Sequence, residues 1–266
     1  MAVELLSGKV FLVITGASQG IGREIAVKFS KLLKPTSTVL LLARGETGLK
    51  ETAVMVSDQV SVRFQSVDLS IADAAQLSEI ITKEMGSSQF ERFVIVHNVG
   101  SIGDLSKFTT DMNDFNEWRK YYDLNVFSPA VLNSVVMKIV KDHGKAKAVV
   151  INITSYLGIQ PMKSVGFYCS GKAAREMYFR VFAEEFPQVN VLNYSPGPVE
   201  TDMLKTFSET AADPEVRTEM SDLRNQNKQL TTEQTVNRLI RVLKDQKYKS
   251  GEHIDYYDDM ERPLRK

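Results

Sequence analysis

Short apolar runs alternate with stretches of helical spacing along this chain, and that alternation restricts the fold more than any other feature. Residues 10–14, 38–43, 60–67, 93–96, 148–153 and 189–194 are mostly aliphatic and rich in β-branched side chains. Near-continuous runs of this kind suit strands covered on both faces. Between them, residues 23–33, 74–85, 114–142, 167–186 and 235–243 space their apolar side chains as a helix with one buried face requires. Strands alternating with helices build an α/β domain: a single doubly wound parallel sheet with helices on both faces. Six strands follow from these runs, and 251–257 reads as a short seventh. Residues 200–230 are polar without a strand pattern and are expected to form short helices over a cleft. Residues 258–266 are expected to be a charged polar tail.

One domain is expected to take in residues 1–266. That length suits a single large α/β unit, and with 43% hydrophobic residues it can bury a core without staples. Basic and acidic residues balance at 33 each, which gives nucleic acid or an anionic membrane surface nothing to attract. Cys169 is the only cysteine, so an intrachain disulfide is excluded and a reducing compartment is expected. Met1-Ala2-Val3-Glu4 lacks the basic and long apolar regions of a secretory signal. No apolar run reads as long enough to span a bilayer. The expectation is a soluble cytoplasmic protein.

The first strand runs into Thr15-Gly16-Ala17-Ser18-Gln19-Gly20-Ile21-Gly22, and a helix follows. Strand, glycine turn and helix together can bind a dinucleotide. The glycines let backbone approach a pyrophosphate, and the first N–H groups of the helix meet its charge. The glycines stand at 16, 20 and 22 rather than in the GxGxxG spacing, so a glycine-rich turn without a ligand is the plain alternative. Arg44 stands just past the second strand. An NAD site carries an acid in this region, whereas a guanidinium suits a 2′-phosphate. NADP or NADPH is therefore favoured, although Glu46 lies two residues on. Asp68, followed by Leu69 at the end of the third strand, could accept from an adenine amino group or cap a helix starting near Ser70.

His97-Asn98-Val99-Gly100 follows the fourth strand, at the edge where open α/β sheets bind ligands. His97 has no partner at ligand spacing, so a packed histidine and no metal site are expected. Asn125 falls inside the helical stretch 114–142, which Pro129 is expected to kink. A buried asparagine there needs hydrogen-bond partners. Ser155 follows the fifth strand, and Tyr168 and Lys172 stand four apart on the next helix, sharing one face. A phenol is a poor acid at neutral pH, but a neighbouring ammonium favours the phenolate and so lowers its pKa. Such a tyrosine can exchange a proton with a carbonyl or alcohol oxygen that a serine hydroxyl holds in place. Taken alone, a Tyr and Lys pair at this spacing is common surface packing.

The glycine loop, Asn98-Val99-Gly100, Asn125, Ser155, Tyr168 with Lys172, and Pro196-Gly197 occur in the order of the short-chain dehydrogenase/reductase family, which the chain resembles over almost its whole length. The resemblance implies a Rossmann-type fold and a tetrad of Asn125, Ser155, Tyr168 and Lys172. Tyr168 would donate the proton and Ser155 would orient the carbonyl. Lys172 would lower the tyrosine pKa and bind the nicotinamide ribose, and Asn125 would hold a relay water. Cofactor contacts are implied at Gly16, Ser18, Gln19, Gly20, Ile21, Gly22, Arg44, Asp68, Leu69, Asn98, Gly100, Tyr168, Lys172, Pro196, Gly197, Val199 and Thr201. His97-Asn98-Val99-Gly100 stands where the family usually reads Asn-Asn-Ala-Gly. Asn98 is kept, so a local packing change is expected without loss of activity.

Three stretches resemble the pterin-reducing members of that family: Tyr168-Cys-Ser-Gly-Lys172-Ala-Ala-Arg-Glu-Met, Tyr194-Ser-Pro-Gly-Pro-Val-Glu-Thr-Asp202-Met, and Ser250-Gly-Glu-His-Ile-Asp255-Tyr-Tyr-Asp. Leu33-Lys34-Pro35 and Gly158-Ile-Gln-Pro161 add to the likeness. This resemblance implies NADPH-dependent reduction of side-chain ketones on a pterin, toward tetrahydrobiopterin. It also implies a cytoplasmic homodimer in which the Asn125 and Tyr168 helices pack across the two-fold, and substrate contacts at Ser155, Tyr168, Gly197 and Asp255. Two other readings stay open. One is a general NADPH carbonyl reductase of lipid, steroid or sugar ketones, for which a carboxylate at 255 has no purpose. The other is a catalytically silent nucleotide sensor, which would have no need of the tetrad.

Overall fold

The computed structural model describes residues 3–258 and Met260. Its seven strands are β1 (Val10–Thr15), β2 (Thr38–Ala43), β3 (Ser61–Ser66), β4 (Arg92–His97), β5 (Lys147–Ile153), β6 (Asn190–Ser195) and β7 (His253–Asp255). They pair in parallel in the order β3-β2-β1-β4-β5-β6-β7, so the sheet grows outward in both directions from the β1–β4 pair. β1, β2 and β4 are buried along their whole length, as their aliphatic runs require.

Successive residues of each strand face opposite sides, and each side has its own core. Leu12, Ile14, Leu41, Val96 and Ile151 pack with α1 (Gly20–Ser30) and with Leu49 of α2 (Glu46–Met55). Phe11, Val13, Leu40, Ile95 and Val150 pack with α3 (Ala74–Met85) and, further on, with Leu132 and Phe179. Helix α2 went unseen in the sequence because it buries only Leu49 and Thr52, too few for a periodic pattern. Helix α1 starts inside the glycine turn and ends at Ser30, short of the end of the helical spacing over 23–33.

The helical stretch over 114–142 is not one α-helix kinked by Pro129. It consists of α4 (Phe115–Tyr122), a turn of π-helix over Asp123–Phe127, and α5 (Ser128–Asp142). Pro129 sits in the first turn of α5, directly after the π-turn, and the backbone is helical on both sides of it. The irregularity is the π-turn, and it carries Asn125. Contrary to the sequence reading, the continuous run Phe115–Asp142 is long and apolar enough to cross a membrane by length and composition. Here it packs in the domain, with Leu132, Val135 and Val136 in the core.

Helix α6 (Gly166–Glu185) lies against the same sheet face as α5. Residues 200–230 contain α7 (Asp202–Thr210) and α8 (Pro214–Asn225). Their Leu204, Phe207, Val216, Met220 and Leu223 form a satellite core with Ile102, Leu105 and Val165. Helix α9 (Thr232–Asp245) opens with a reciprocal capping box between Thr231 and Gln234 and packs beside α1. Of the expected polar tail, Asp258 belongs to an ordered turn that donates its N–H to the Asp255 carbonyl. Residues 259 and 261–266 lie outside the described residues.

Candidate active site

Register places the loops. Ile14 pairs with Val96, which brings the glycine turn beside Asn98. Ile153 pairs with Tyr194, which brings Ser155 beside Pro196 and Gly197. Ser195 pairs with Asp255. The carboxyl ends of the strands thus surround one cleft of about 1090 Å³. Of the residues singled out in the sequence, Gly16, Ser18, Gln19, Gly20, Ile21, Arg44, Leu69, Asn98, Gly100, Ser155, Tyr168, Lys172, Pro196, Gly197, Val199, Thr201 and Asp255 line it. Gly22, Asp68 and Asn125 do not.

At the glycine turn, Gly16 has φ of 66°, a region that favours glycine. A Cβ on Gly22 would lie 2.3 Å from the Gly16 carbonyl oxygen and 2.6 Å from Asn98 Nδ2. That closeness leaves the first N–H groups of α1 exposed to the cleft without a side-chain cap, a cradle for a phosphate. Asn98 fastens the turn from the other side, donating from Nδ2 to the carbonyls of Thr15 and Gly16 at 3.1 and 3.2 Å. Gln19 donates to Asp202 Oδ2 at 3.2 Å and bridges the turn to the start of α7. Arg44 is exposed at the rim beyond β2. The residues present therefore fit a dinucleotide.

Asp68 does not cap a helix at Ser70. Its carboxylate accepts from the Ser70 hydroxyl at 2.7 Å and the Ser70 N–H at 3.0 Å, and these bonds hold it below the usual carboxylate range. Asp73 caps α3 instead. Asn125 is buried, accepts from the Ser101 N–H and donates to the Tyr121 carbonyl, each at 2.8 Å. It borders a smaller cavity of about 290 Å³ shared with Tyr121, Lys120 and Phe167.

Ser155 Oγ accepts from the Leu157 N–H at 3.2 Å, which leaves its proton to donate into the cleft. Lys172 Nζ donates to the Ile153 carbonyl at 2.8 Å and sits 5.5 Å from the centre of the Tyr168 ring. Burial pushes Lys172 well below the usual lysine range, and the Arg175 charge adds to that push. Burial raises Tyr168; the influences that oppose it are a hydrogen bond with Ser155 and the Arg175 charge. His97 is buried with its ring 4.9 Å from Phe179, and burial pushes it down to about 3. No cluster of metal-ligating side chains occurs among the described residues.

Asp255 is 1% exposed, yet its carboxylate reaches the cleft wall. It accepts from the Ser195 hydroxyl at 2.6 Å and the Tyr257 N–H at 2.9 Å. Tyr257, Met203, Phe207, Glu219 and Met220 also line the cleft and were not singled out in the sequence. Their positions depend on how α7, α8 and the end of β7 fold back, which no local pattern reveals.

A family model described as short chain dehydrogenase matches residues 10–212. The chain belongs to the short-chain dehydrogenase family. As a member of it, the chain is an oxidoreductase. Among curated relatives it is 38% identical to the sepiapterin reductase of Xenopus tropicalis, covering 97% of this chain and 100% of that protein. It is 33% identical to the sepiapterin reductase of Bos taurus, covering 95% and 96%. A short chain dehydrogenase of Shigella flexneri, solved in complex with NADP, superposes with a TM-score of 0.76 at 21% identity, covering 96% of this chain and all of that one. That likeness is one of fold.

Proposed function

We propose that this member of the family uses NADPH to reduce ketone carbonyls on the side chain of a pterin, sepiapterin among them. The observation that carries the reading is the buried carboxylate of Asp255 on the cleft wall beside Gly197. A pterin ring offers an amino group and a ring N–H side by side, and a carboxylate accepts such a pair together. Near-full-length similarity to sepiapterin reductases supports the same substrate class.

When bound, NADPH supplies the hydride. The glycine turn and the start of α1 receive the pyrophosphate, and Arg44 takes the 2′-phosphate through its fork. Pro196, Gly197, Val199 and Thr201 line the same cleft. Ser155 donates to the substrate carbonyl oxygen, and Tyr168 delivers its proton to the same atom. Lys172, fixed on the Ile153 carbonyl, presents its remaining N–H groups to the ribose side. Asn125 steadies Ser101 at the cleft edge and holds the relay water. Helices α7 and α8 act as a flap that excludes water.

The working form is a cytoplasmic homodimer. Phe127 at the end of the π-turn with Val131 on α5, and Met177 with Val181 on α6, are exposed apolar pairs at four-residue spacing. Two copies packed through α5 and α6 would cover them.

The test is to mix purified protein with NADPH and sepiapterin and follow the absorbance of both. Coupled loss of the two is expected. If sepiapterin stays intact while a small diketone is reduced, the general carbonyl reductase reading takes over.

A further inference from the structure

Glu176 takes no part in the chemistry above, yet α6 buries it to 2% exposure. A carboxylate so enclosed is retained only with hydrogen-bond partners. Its partners come from two distant parts of the chain. The Thr154 hydroxyl donates to Glu176 Oε2 at 2.8 Å, and His253 Nδ1 meets the same oxygen at 2.9 Å. With its proton on Nδ1 the imidazole donates to the carboxylate. His253 Nε2 is also buried and has no hydrogen-bond partner among the described residues, so the polar contact of the ring is the one with Glu176.

Each partner stands beside a residue of the site. Thr154 immediately precedes Ser155, just past β5, and His253 lies two residues before Asp255 on β7. Residues two apart in a strand face the same side, so His253 and Asp255 share a face. Glu176 itself stands four residues after Lys172 and eight after Tyr168, on one stripe of α6. Lys172 holds the Ile153 carbonyl at 2.8 Å, so two successive turns of α6 grip the two residues that lead into Ser155. The neighbouring Arg175 ties the helix elsewhere, donating to Asn152 Oδ1 at 2.5 Å and to the carbonyls of Val99 and His97. Glu176 carries the connection on to β7. One carboxylate oxygen thus joins the helix that bears Tyr168, the loop that bears Ser155 and the strand that bears Asp255.

We propose that Glu176 is a positioning residue: through Thr154 and His253 it sets the span between the Asp255 carboxylate, which holds the pterin ring, and the Ser155–Tyr168 pair, which meets the ketone. The proposal rests on the reading of Asp255 as pterin anchor. A substrate held at both ends reacts only when the span between them is right, and a misplacement of about 1 Å can cost 100-fold in rate. A small diketone reaches Ser155 and Tyr168 without touching Asp255, so it reports the Thr154 side of the junction alone.

The test measures kcat and KM with NADPH for sepiapterin and for a small diketone. Thermal melts of each variant come first. Thr154→Val keeps the shape of the side chain and deletes the hydroxyl, and turnover of both substrates falls about tenfold as Ser155 loses its hold. His253→Leu frees β7 only. Turnover of sepiapterin falls about tenfold, its KM stays within about twofold because the Asp255 carboxylate remains, and the diketone is reduced as before. That pattern is the reverse of Asp255→Ala, in which KM rises, and a merely weakened fold would lower both substrates alike. His253→Gln, which keeps a donor for Glu176, restores sepiapterin turnover. Glu176→Leu loses turnover on both substrates, and adding His253→Leu to it changes nothing further, because the junction is already gone.

A folded His253→Leu protein with wild-type turnover of sepiapterin, or with equal losses on both substrates, overturns the proposal. So does a further, additive loss when His253→Leu is combined with Glu176→Leu. If either leucine variant does not fold, Thr154→Val and His253→Gln decide: unchanged diketone turnover in the first, or lost sepiapterin turnover in the second, overturns it. Wild-type protein that leaves sepiapterin intact removes the pterin reading and the proposal together. Wild-type protein that reduces sepiapterin, with no selective loss in His253→Leu, removes the proposal alone.

Discussion

Ser195 donates its hydroxyl to Asp255 Oδ2 at 2.6 Å, across the last pair of strands. This bond holds the carboxylate at the cleft wall and ties its removal to a structural penalty. In Asp255→Ala the Ser195 hydroxyl and the Tyr257 N–H lose their acceptor, and an unmet buried polar group costs about 1–3 kcal/mol. Thermal melts should show that loss. In the folded variant the KM for sepiapterin should rise tenfold or more, because sites built on a polar contact reject ligands that miss it. A small diketone should be reduced as before. Equal treatment of both substrates by the variant would remove Asp255 as the pterin anchor.

Tyr168→Phe keeps the ring and deletes the hydroxyl. Turnover should fall by about 100-fold or more, the scale of acid–base catalysis, while NADPH affinity barely changes. Wild-type turnover in this variant would end the assignment of Tyr168 as donor.

Arg44 is exposed at the rim of the cleft, beyond the end of β2. Arg44→Ala should weaken NADPH relative to NADH by roughly 1.5–3 kcal/mol, the value of a hydrogen bond to a charged group. The ratio of the two dissociation constants is the measurement. An unchanged preference would move the phosphate contact to Ser18 and the turn backbone.

His97 links stability to pH. Buried, it titrates at about 3 in the folded chain against an ordinary value of 6.5. Between those values the unfolded chain binds a proton that the folded one does not. Stability is therefore fully present above 6.5 and is lost as pH falls toward 3. At pH 5 the loss from this group alone is about 2 kcal/mol relative to pH 7. His97→Asn should lose less stability between pH 7 and pH 5 than wild type in chemical denaturation. Equal losses would show that other groups carry the acid limb.

The sequence alone determined the class of the fold. Parallel strands covered on both faces must be apolar throughout, and helices over them must repeat at 3.6 residues, so residues 10–14 or 74–85 declare themselves locally. The glycine turn and the Tyr168–Lys172 pair were legible for the same reason: both are short-range patterns within one turn or one helix. Helix α2 was not, because a helix that buries only Leu49 and Thr52 leaves no repeat to read. The rest belongs to tertiary structure. The π-turn sets where Asn125 points, and strand register brings Ser195 to Asp255. Burial is a property of the assembled layers, and it displaces Lys172 and Tyr168 in directions that four-residue spacing could not foretell. Arg175 is the clearest case. Its partners lie 23 to 78 positions away in sequence, and only the closed sheet brings their oxygens to one guanidinium.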